Sequence, residues 1–254
     1  MKTRFDTYVN PHRPWYRTAP FYIALAVIAI FLVVVLIAQL VNKDSAGDNA
    51  AAGASETQSA EAASDPDAQI KSLIERREEN DPRALGDVDA PVVLVEWTDL
   101  RCPFCALFSR EILPTLKKEY VDTGKVRIEF RDVVYFGERS ATASAAARAA
   151  GRQDKYVDYL RAVYARAPES GHPDLPDEEL IEIAEEVGVP DMERFKADMT
   201  DPQLEVEAQA ETEEARQWGV QGVPFFAVGG NVIAGAQSLE NFREFLDQAI
   251  EEAS

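Results

Sequence analysis

The sequence predicts an α/β domain carried on a single N-terminal membrane-spanning helix. Three observations predict this class: an apolar run over residues 21–41, a strand–helix–strand pattern after residue 90, and a hairpin plus helix at the C-terminus, set apart by a helical block over residues 138–217.

The apolar run reads FYIALAVIAIFLVVVLIAQLV, with no charge and Gln39 as its one strongly polar residue. As a helix it is about 30 Å long, which spans a bilayer. A cleaved signal peptide is the alternative, but its apolar region is usually about 7–15 residues and ends at a small-x-small site, so an uncleaved transmembrane helix is expected.

Lys2, Arg4, Arg13 and Arg17 precede the run, whereas only Lys43 follows it closely among acidic residues. The positive-inside rule therefore places segment 1–20 in the cytoplasm and everything after Val41 outside it. Residues 42–69, rich in Ala, Ser, Asp and Glu, hold no large apolar residue before Ile70 and are expected to form a flexible acidic linker. The folded domain is expected over 70–254.

The chain of 254 residues carries a net charge of −19. So acidic a body repels phosphate backbones, which argues against nucleic acid as a partner. The two histidines, His12 and His172, lie far from the two cysteines in sequence, and an isolated cysteine pair completes neither a disulfide framework nor a four-cysteine zinc site. No metal and no bound cofactor are expected.

Val92 to Trp97 (VVLVEW) follows Pro91 and has the β-branched, apolar pattern of a strand buried on both faces. Glu96 within it is anomalous, because a buried carboxylate is costly unless it is paired, hydrogen-bonded or protonated. A helix follows the cysteines, with Pro114 as a kink and Gly124 as its stop; a second strand fits Lys125 to Val134.

Within 138–217 the pattern gives successive helices, with Tyr156, Tyr159 and Tyr164 packing the block and an acidic run from Glu178 to Glu186 as a solvated face. Phe225–Val228 and Val232–Ala234 flank the turn residues Gly229-Gly230-Asn231, and Ser238 caps a closing helix to Ile250. Trp97 and Trp218 are expected in the core or lining a groove, and His172, beside Gly171 and Pro173, in an exposed loop.

Both cysteines fall in Cys102-Pro103-Phe104-Cys105, at the start of a helix and directly after a buried strand. Spaced i and i+3 on one helix face, they can close and open a disulfide with little backbone movement. The helix N-terminus favours an anion at Cys102, making it the expected attacking thiolate, with Cys105 resolving the mixed disulfide. Pro103 fits the first helical turn, and Phe104 offers apolar surface to a substrate. A structural disulfide, half a metal site and a pair of buried thiols are the competing readings of this motif. A second signal lies at GVQGVPFF, where Pro224 at a strand entry marks a fixed turn, with a cis bond as one form of it.

The segments VVLVEWTDLRCPFC and GVQGVPFFAVGG resemble the two motifs of the DsbA-like branch of the thioredoxin superfamily, over residues 84–254. The resemblance implies a thioredoxin-like fold with a helical insertion between its βαβ and ββα halves. It implies a cis Pro224 facing the cysteines and a Val223 backbone offered to substrate peptide. It also implies a buried Glu96 assisting proton transfer at the second cysteine, against the alternative that Glu96 pairs with Arg127 or Arg131.

The dipeptide is Pro-Phe where the best-known oxidases carry Pro-His, so the imidazole that stabilises the thiolate there is missing. The expected activity is extracytoplasmic thiol-disulfide exchange with exported proteins, as an oxidase reoxidised by a membrane redox partner. A reductase or isomerase fed by a membrane electron donor is the alternative, and a metal-binding or chaperone module the remaining one. A monomer is expected.

Overall fold

The computed structural model describes residues 66–254, all within one compact unit. The expected segments 1–20 and 21–41, and the linker as far as residue 65, lie outside these residues. Among the described residues no helix is long and apolar enough to cross a membrane.

In chain order the elements are α1 (Pro66–Ile74), β1 (Ala84–Leu85), β2 (Val92–Thr98), α2 (103–121), β3 (Val126–Asp132), α3 (Glu138–Gly151), α4 (Tyr156–Arg166), α5 (Asp177–Glu186), α6 (Met192–Asp198), α7 (Pro202–Gln217), β4 (Phe225–Val228), β5 (Asn231–Ala234) and α8 (Leu239–Glu252). The strands form one mixed sheet in the order β1-β3-β2-β4-β5, with β2 and β3 parallel and the other neighbours antiparallel. This is the thioredoxin-like βαβ and ββα pairing, with α3 to α7 inserted between the halves. The helix α1 begins inside the stretch expected as linker, and the two-residue β1 was not foreseen.

Strand alternation decides which chemistry meets which helix. On β2, Val92, Leu94, Glu96 and Thr98 share one face, and across the register they meet Val126, Ile128, Phe130 and Asp132 of β3. This face packs the main core with Phe108, Tyr156, Phe226 and Phe242. The other face, Val93, Val95 and Trp97, is covered by Ile74 of α1, Ala215 of α7, and Val220.

Arg127, Glu129 and Arg131 lie on that second face. Roofed by α1, they are buried and therefore paired. Glu129 receives the Arg127 guanidinium at 2.8 Å and the backbone N–H groups of Arg76 and Arg77 at 2.7 and 2.9 Å. Arg131 donates to the Ile74 carbonyl at 2.5 Å, tying the end of α1 to the sheet.

The expected kink at Pro114 takes a specific form. A proline ring clashes with the carbonyl four residues back and lacks an N–H, and α2 absorbs this by widening into a π turn over Phe108–Ile112 just before it. A second π turn, Lys117–Val121, precedes Gly124, whose φ of 73° ends the helix as expected. Arg110, in the first π turn, donates to the Tyr164 and Ala167 carbonyls at 2.8 and 3.1 Å and so caps α4. At the other end of the chain, Ser238 caps α8 by accepting from the Asn241 N–H.

At the foot of the main core Asp132 is fully buried. Arg148 reaches it at 2.7 Å and Tyr156 at 3.0 Å, Ser144 donates to it, and Arg83 stands at 3.6 Å. Burial alone raises a carboxyl pKa, but Arg148, Arg83 and Ser144 outweigh it and hold Asp132 at about 2. A depressed acid pKa contributes stability above the ordinary carboxylate range, lost as pH falls toward about 2. Arg148→Ala strands a buried charge and is expected to cost about 3–5 kcal/mol in urea unfolding at neutral pH, and to move the acid-unfolding midpoint upward.

Candidate active site

The loop between β2 and α2 sets the site. Asp99, at the strand end, accepts through its carboxylate from the N–H groups of Arg101 (2.9 Å) and Tyr135 (2.8 Å) and from the Ser140 hydroxyl (2.9 Å). Its carbonyl accepts from the Cys102 N–H at 2.9 Å. The turn that launches α2 is thereby locked to the segment leaving β3.

Cys102 is the N-cap of α2, and Pro103 occupies the first turn, where a missing N–H costs nothing. The Cys102 sulfur accepts from the Cys105 N–H at 3.3 Å and donates its thiol proton to the Val223 carbonyl at 3.4 Å. Val223 precedes Pro224 through a cis peptide bond, so the second motif does face the first cysteine. That thiol contact needs a proton, and a thiolate at Cys102 cannot make it.

The two sulfurs are driven apart in acidity. The Cys105 side chain and the N–H groups of Cys105 and Phe104 lower the Cys102 pKa, against opposition from burial and Asp99. For Cys105, burial is the largest influence and neighbouring Cys102 adds to it, raising its thiol well above the ordinary value. Phe104 between them is 61 % exposed and Val223 half-buried. Val223 lines a groove of about 330 Å³ together with Gly219, Gln221, Pro224, Phe225 and Ala234.

Glu96 lies beneath, 1 % exposed, and its Oε2 has no hydrogen-bond partner. Burial pushes its pKa up to about 8, opposed by the Thr98 hydroxyl and aided by negative charge at Cys102. The pairing with Arg127 or Arg131 is absent for a geometric reason. Glu96 shares the β2 face that meets Phe130, and odd-numbered residues of β3 point through the opposite face of the sheet.

Several residues at the site were not expected. Thr98 contacts the Tyr164 hydroxyl at 2.6 Å, and Tyr164 donates to the Asp99 carbonyl at 3.1 Å, so this tyrosine packs its block and also reaches the site. Tyr135 donates to the Val220 carbonyl, joining the cysteine turn to the loop before Pro224. Arg101 donates to the Pro173 and Phe136 carbonyls, both at 2.6 Å. His172 is exposed as expected, yet its Nδ1 lies 2.9 Å from the Arg101 carbonyl and its ring stacks on Phe136. The signal for Thr98 and Asp99 was present as two polar residues closing an otherwise apolar buried strand. For His172 and Tyr164 no local signal existed, since only the folded insertion brings them close.

A dithiol of split acidity at the N-terminus of α2 in a thioredoxin-like fold, over a buried carboxyl and facing a cis-proline, defines a thiol-disulfide oxidoreductase. A family model described as thioredoxin matches residues 78–248. The "Probable disulfide bond formation protein D" of Bacillus cereus is 31% identical over 153 residues, covering 59% of this chain and 71% of that protein. The crystal structure of oxidised BdbD from Bacillus subtilis superposes with a TM-score of 0.62 at 22% identity, covering 66% of this chain and 92% of that one. The structure of alpha-DsbA1 from Wolbachia pipientis gives 0.60 at 23%, covering 67% and 92%. The chain belongs to the thioredoxin family, in its DsbA-like thiol-disulfide oxidoreductase branch.

Because the Glu96 pKa is raised, the unfolded chain releases that proton first, and stability declines as pH rises from the ordinary carboxylate range through about 8. Glu96→Gln is expected to leave the thermal midpoint unchanged near pH 4 and to raise stability above pH 8 by on the order of 3–5 kcal/mol. Thermal unfolding of both proteins across that range is the check.

Proposed function

We propose that the chain acts outside the cytoplasm as an oxidase, passing the Cys102–Cys105 disulfide to cysteines of exported proteins. The observation that carries this reading is the split acidity of the two thiols. Lowering the Cys102 pKa stabilises the reduced enzyme and improves Cys102 as a leaving group, and both effects make the disulfide more oxidising.

A substrate thiolate attacks the Cys102 sulfur, and the Cys102–Cys105 bond breaks with its electron pair passing to Cys105. That sulfur, whose thiol is of raised pKa, takes a proton from the Glu96 carboxyl. A second substrate thiolate then attacks the substrate sulfur of the mixed disulfide, Cys102 departs as a thiolate, and the substrate has lost two electrons and gained a disulfide. Val223 and Pro224 present backbone to the substrate segment, and Phe104 supplies exposed apolar contact.

A membrane redox partner withdraws the two electrons and restores the Cys102–Cys105 bond, so no bound cofactor is required. The apolar stretch 21–41 serves as the anchor, with the N-terminus cytoplasmic, the linker giving the catalytic domain reach, and the chain monomeric. The sequence pattern of charge and hydropathy supports this arrangement.

The full chain in its disulfide form is expected to oxidise a reduced, unfolded disulfide protein, and Cys102→Ser to abolish the activity. The reduction potential, set against glutathione, separates directions: a value near about −120 mV fits an oxidase, whereas one near about −270 mV makes the chain a reductase.

A further inference from the structure

The loop of residues 218–224 joins α7 to β4 and carries the backbone that faces Cys102. The ladder between β2 and β4 begins at Phe225, opposite Trp97, so this loop projects past the end of the strand pairing. Backbone bonds hold it on both sides of the groove: Val220 donates to the Ala215 carbonyl at 2.9 Å, and Pro224 accepts from the Gly235 N–H at 2.8 Å. Between them Gln221 and Gly222 are exposed and make no hydrogen bond among the described residues.

Among those residues two side chains donate to the loop, both from the half of the domain that carries the cysteines. Tyr135, just beyond β3, gives its hydroxyl proton to the carbonyl of the buried Val220, and the Cys102 thiol gives its proton to the Val223 carbonyl at 3.4 Å. The Tyr135 backbone N–H is bonded to the Asp99 carboxylate at 2.8 Å, and the Asp99 carbonyl holds the Cys102 N–H at 2.9 Å. A closed circuit of hydrogen bonds and short chain segments therefore runs from Cys102 through Asp99, Tyr135 and Val220 to Val223 and back.

One link of the circuit depends on redox state. In the disulfide the Cys102 sulfur has no proton to donate, and the Val223 carbonyl is released to accept from a substrate N–H. The Tyr135 link has no such dependence. The disulfide form is the one that receives a reduced substrate, and in it Tyr135 is the remaining side-chain donor to the loop among the described residues.

We propose that Tyr135 is a positioning residue for thiol-disulfide exchange: through the Val220 carbonyl it keeps the 221–223 backbone in place for the substrate segment once the disulfide has released Val223. A backbone already in its bound geometry costs less to order on binding, so the effect falls on substrate affinity. The proposal rests on the reading above that Val223 and Pro224 present backbone to the substrate.

Tyr135→Phe isolates the hydroxyl. The ring, packed against the core on the second face of the sheet with the Arg216 guanidinium 5.5 Å from its centre, is retained, and so is the N–H on Asp99. The oxidised full chain is reduced in single turnovers by a two-cysteine peptide and, separately, by dithiothreitol, a small dithiol without a peptide backbone. The variant is expected to raise the half-saturating peptide concentration about fivefold, the worth of one neutral hydrogen bond, and to leave the limiting rate and the dithiothreitol rate unchanged. An unchanged half-saturating concentration, or a dithiothreitol rate that falls in parallel, overturns the proposal.

Hydrogen exchange at the Val220 N–H gives a second readout that a general loss of stability does not mimic. Tyr135→Phe speeds it more in the disulfide form, where Tyr135 acts alone, than in the dithiol form, where the Cys102 thiol still holds Val223; equal acceleration in both overturns the proposal. Should the variant not fold, the wild type decides: with Tyr135 holding the loop in both states, Val220 exchange changes by less than about threefold on oxidation, and a larger acceleration overturns the proposal. A wild-type rate that rises with peptide without saturating removes the groove as a substrate site and this proposal with it, whereas saturation that Tyr135→Phe leaves untouched removes this proposal alone.

Discussion

The site depends on how the end of β2 is held. Asp99 must be buried there because α3, α4 and the segment after β3 close over it, and a buried carboxylate requires donors. It finds them in three backbone N–H groups, those of Arg101, Tyr135 and Phe136, and in the Ser140 hydroxyl, drawn from the cysteine turn, the exit of β3 and the start of α3. Its own carbonyl fixes the Cys102 N–H. One residue therefore sets the angle at which α2 leaves the sheet and brings its N-terminus to the Val223 carbonyl. The same carboxylate opposes negative charge at Cys102, so the group that builds the turn also limits how acidic the first thiol becomes.

Against that opposition the helix end supplies what a histidine in the dipeptide supplies elsewhere. Backbone N–H groups of Cys105 and Phe104 point at the Cys102 sulfur, and their help is fixed by geometry and independent of the protonation of any side chain. Phe104 is thus free to be an exposed apolar surface.

Much of this was legible in the sequence because it is written in local pattern. The VVLVEW run, the i and i+3 cysteines, Pro224 at a strand entry and Ser238 as a cap each act within a few residues, and the fold places them as their spacing requires. The anomaly of Glu96 was also readable, and the alternative of a pairing with Arg127 or Arg131 is closed by strand parity between β2 and β3, which depends on register. What was not legible is non-local. The burial of Arg127, Glu129 and Arg131 under α1 has no local signal, and the helical insertion alone carries Tyr164 to Thr98 and His172 to the Arg101 carbonyl.

Among the described residues, the core beneath the cysteines holds Glu96, Cys102, Cys105 and Tyr164 with no cation among them. Arg127 and Arg131 lie through the sheet, Arg148 is engaged by Asp132, and Arg101 turns outward to two carbonyls. In a low-dielectric space without a counter-ion, one negative charge disfavours the next. A thiolate at Cys102 therefore keeps the Glu96 carboxyl protonated, and conversion of that thiolate into a disulfide makes Glu96 the stronger acid. The carboxyl is then readiest to release its proton when Cys102 is covalently engaged and Cys105 is the leaving sulfur. The absence of a cation thus couples the proton to the redox state of the pair.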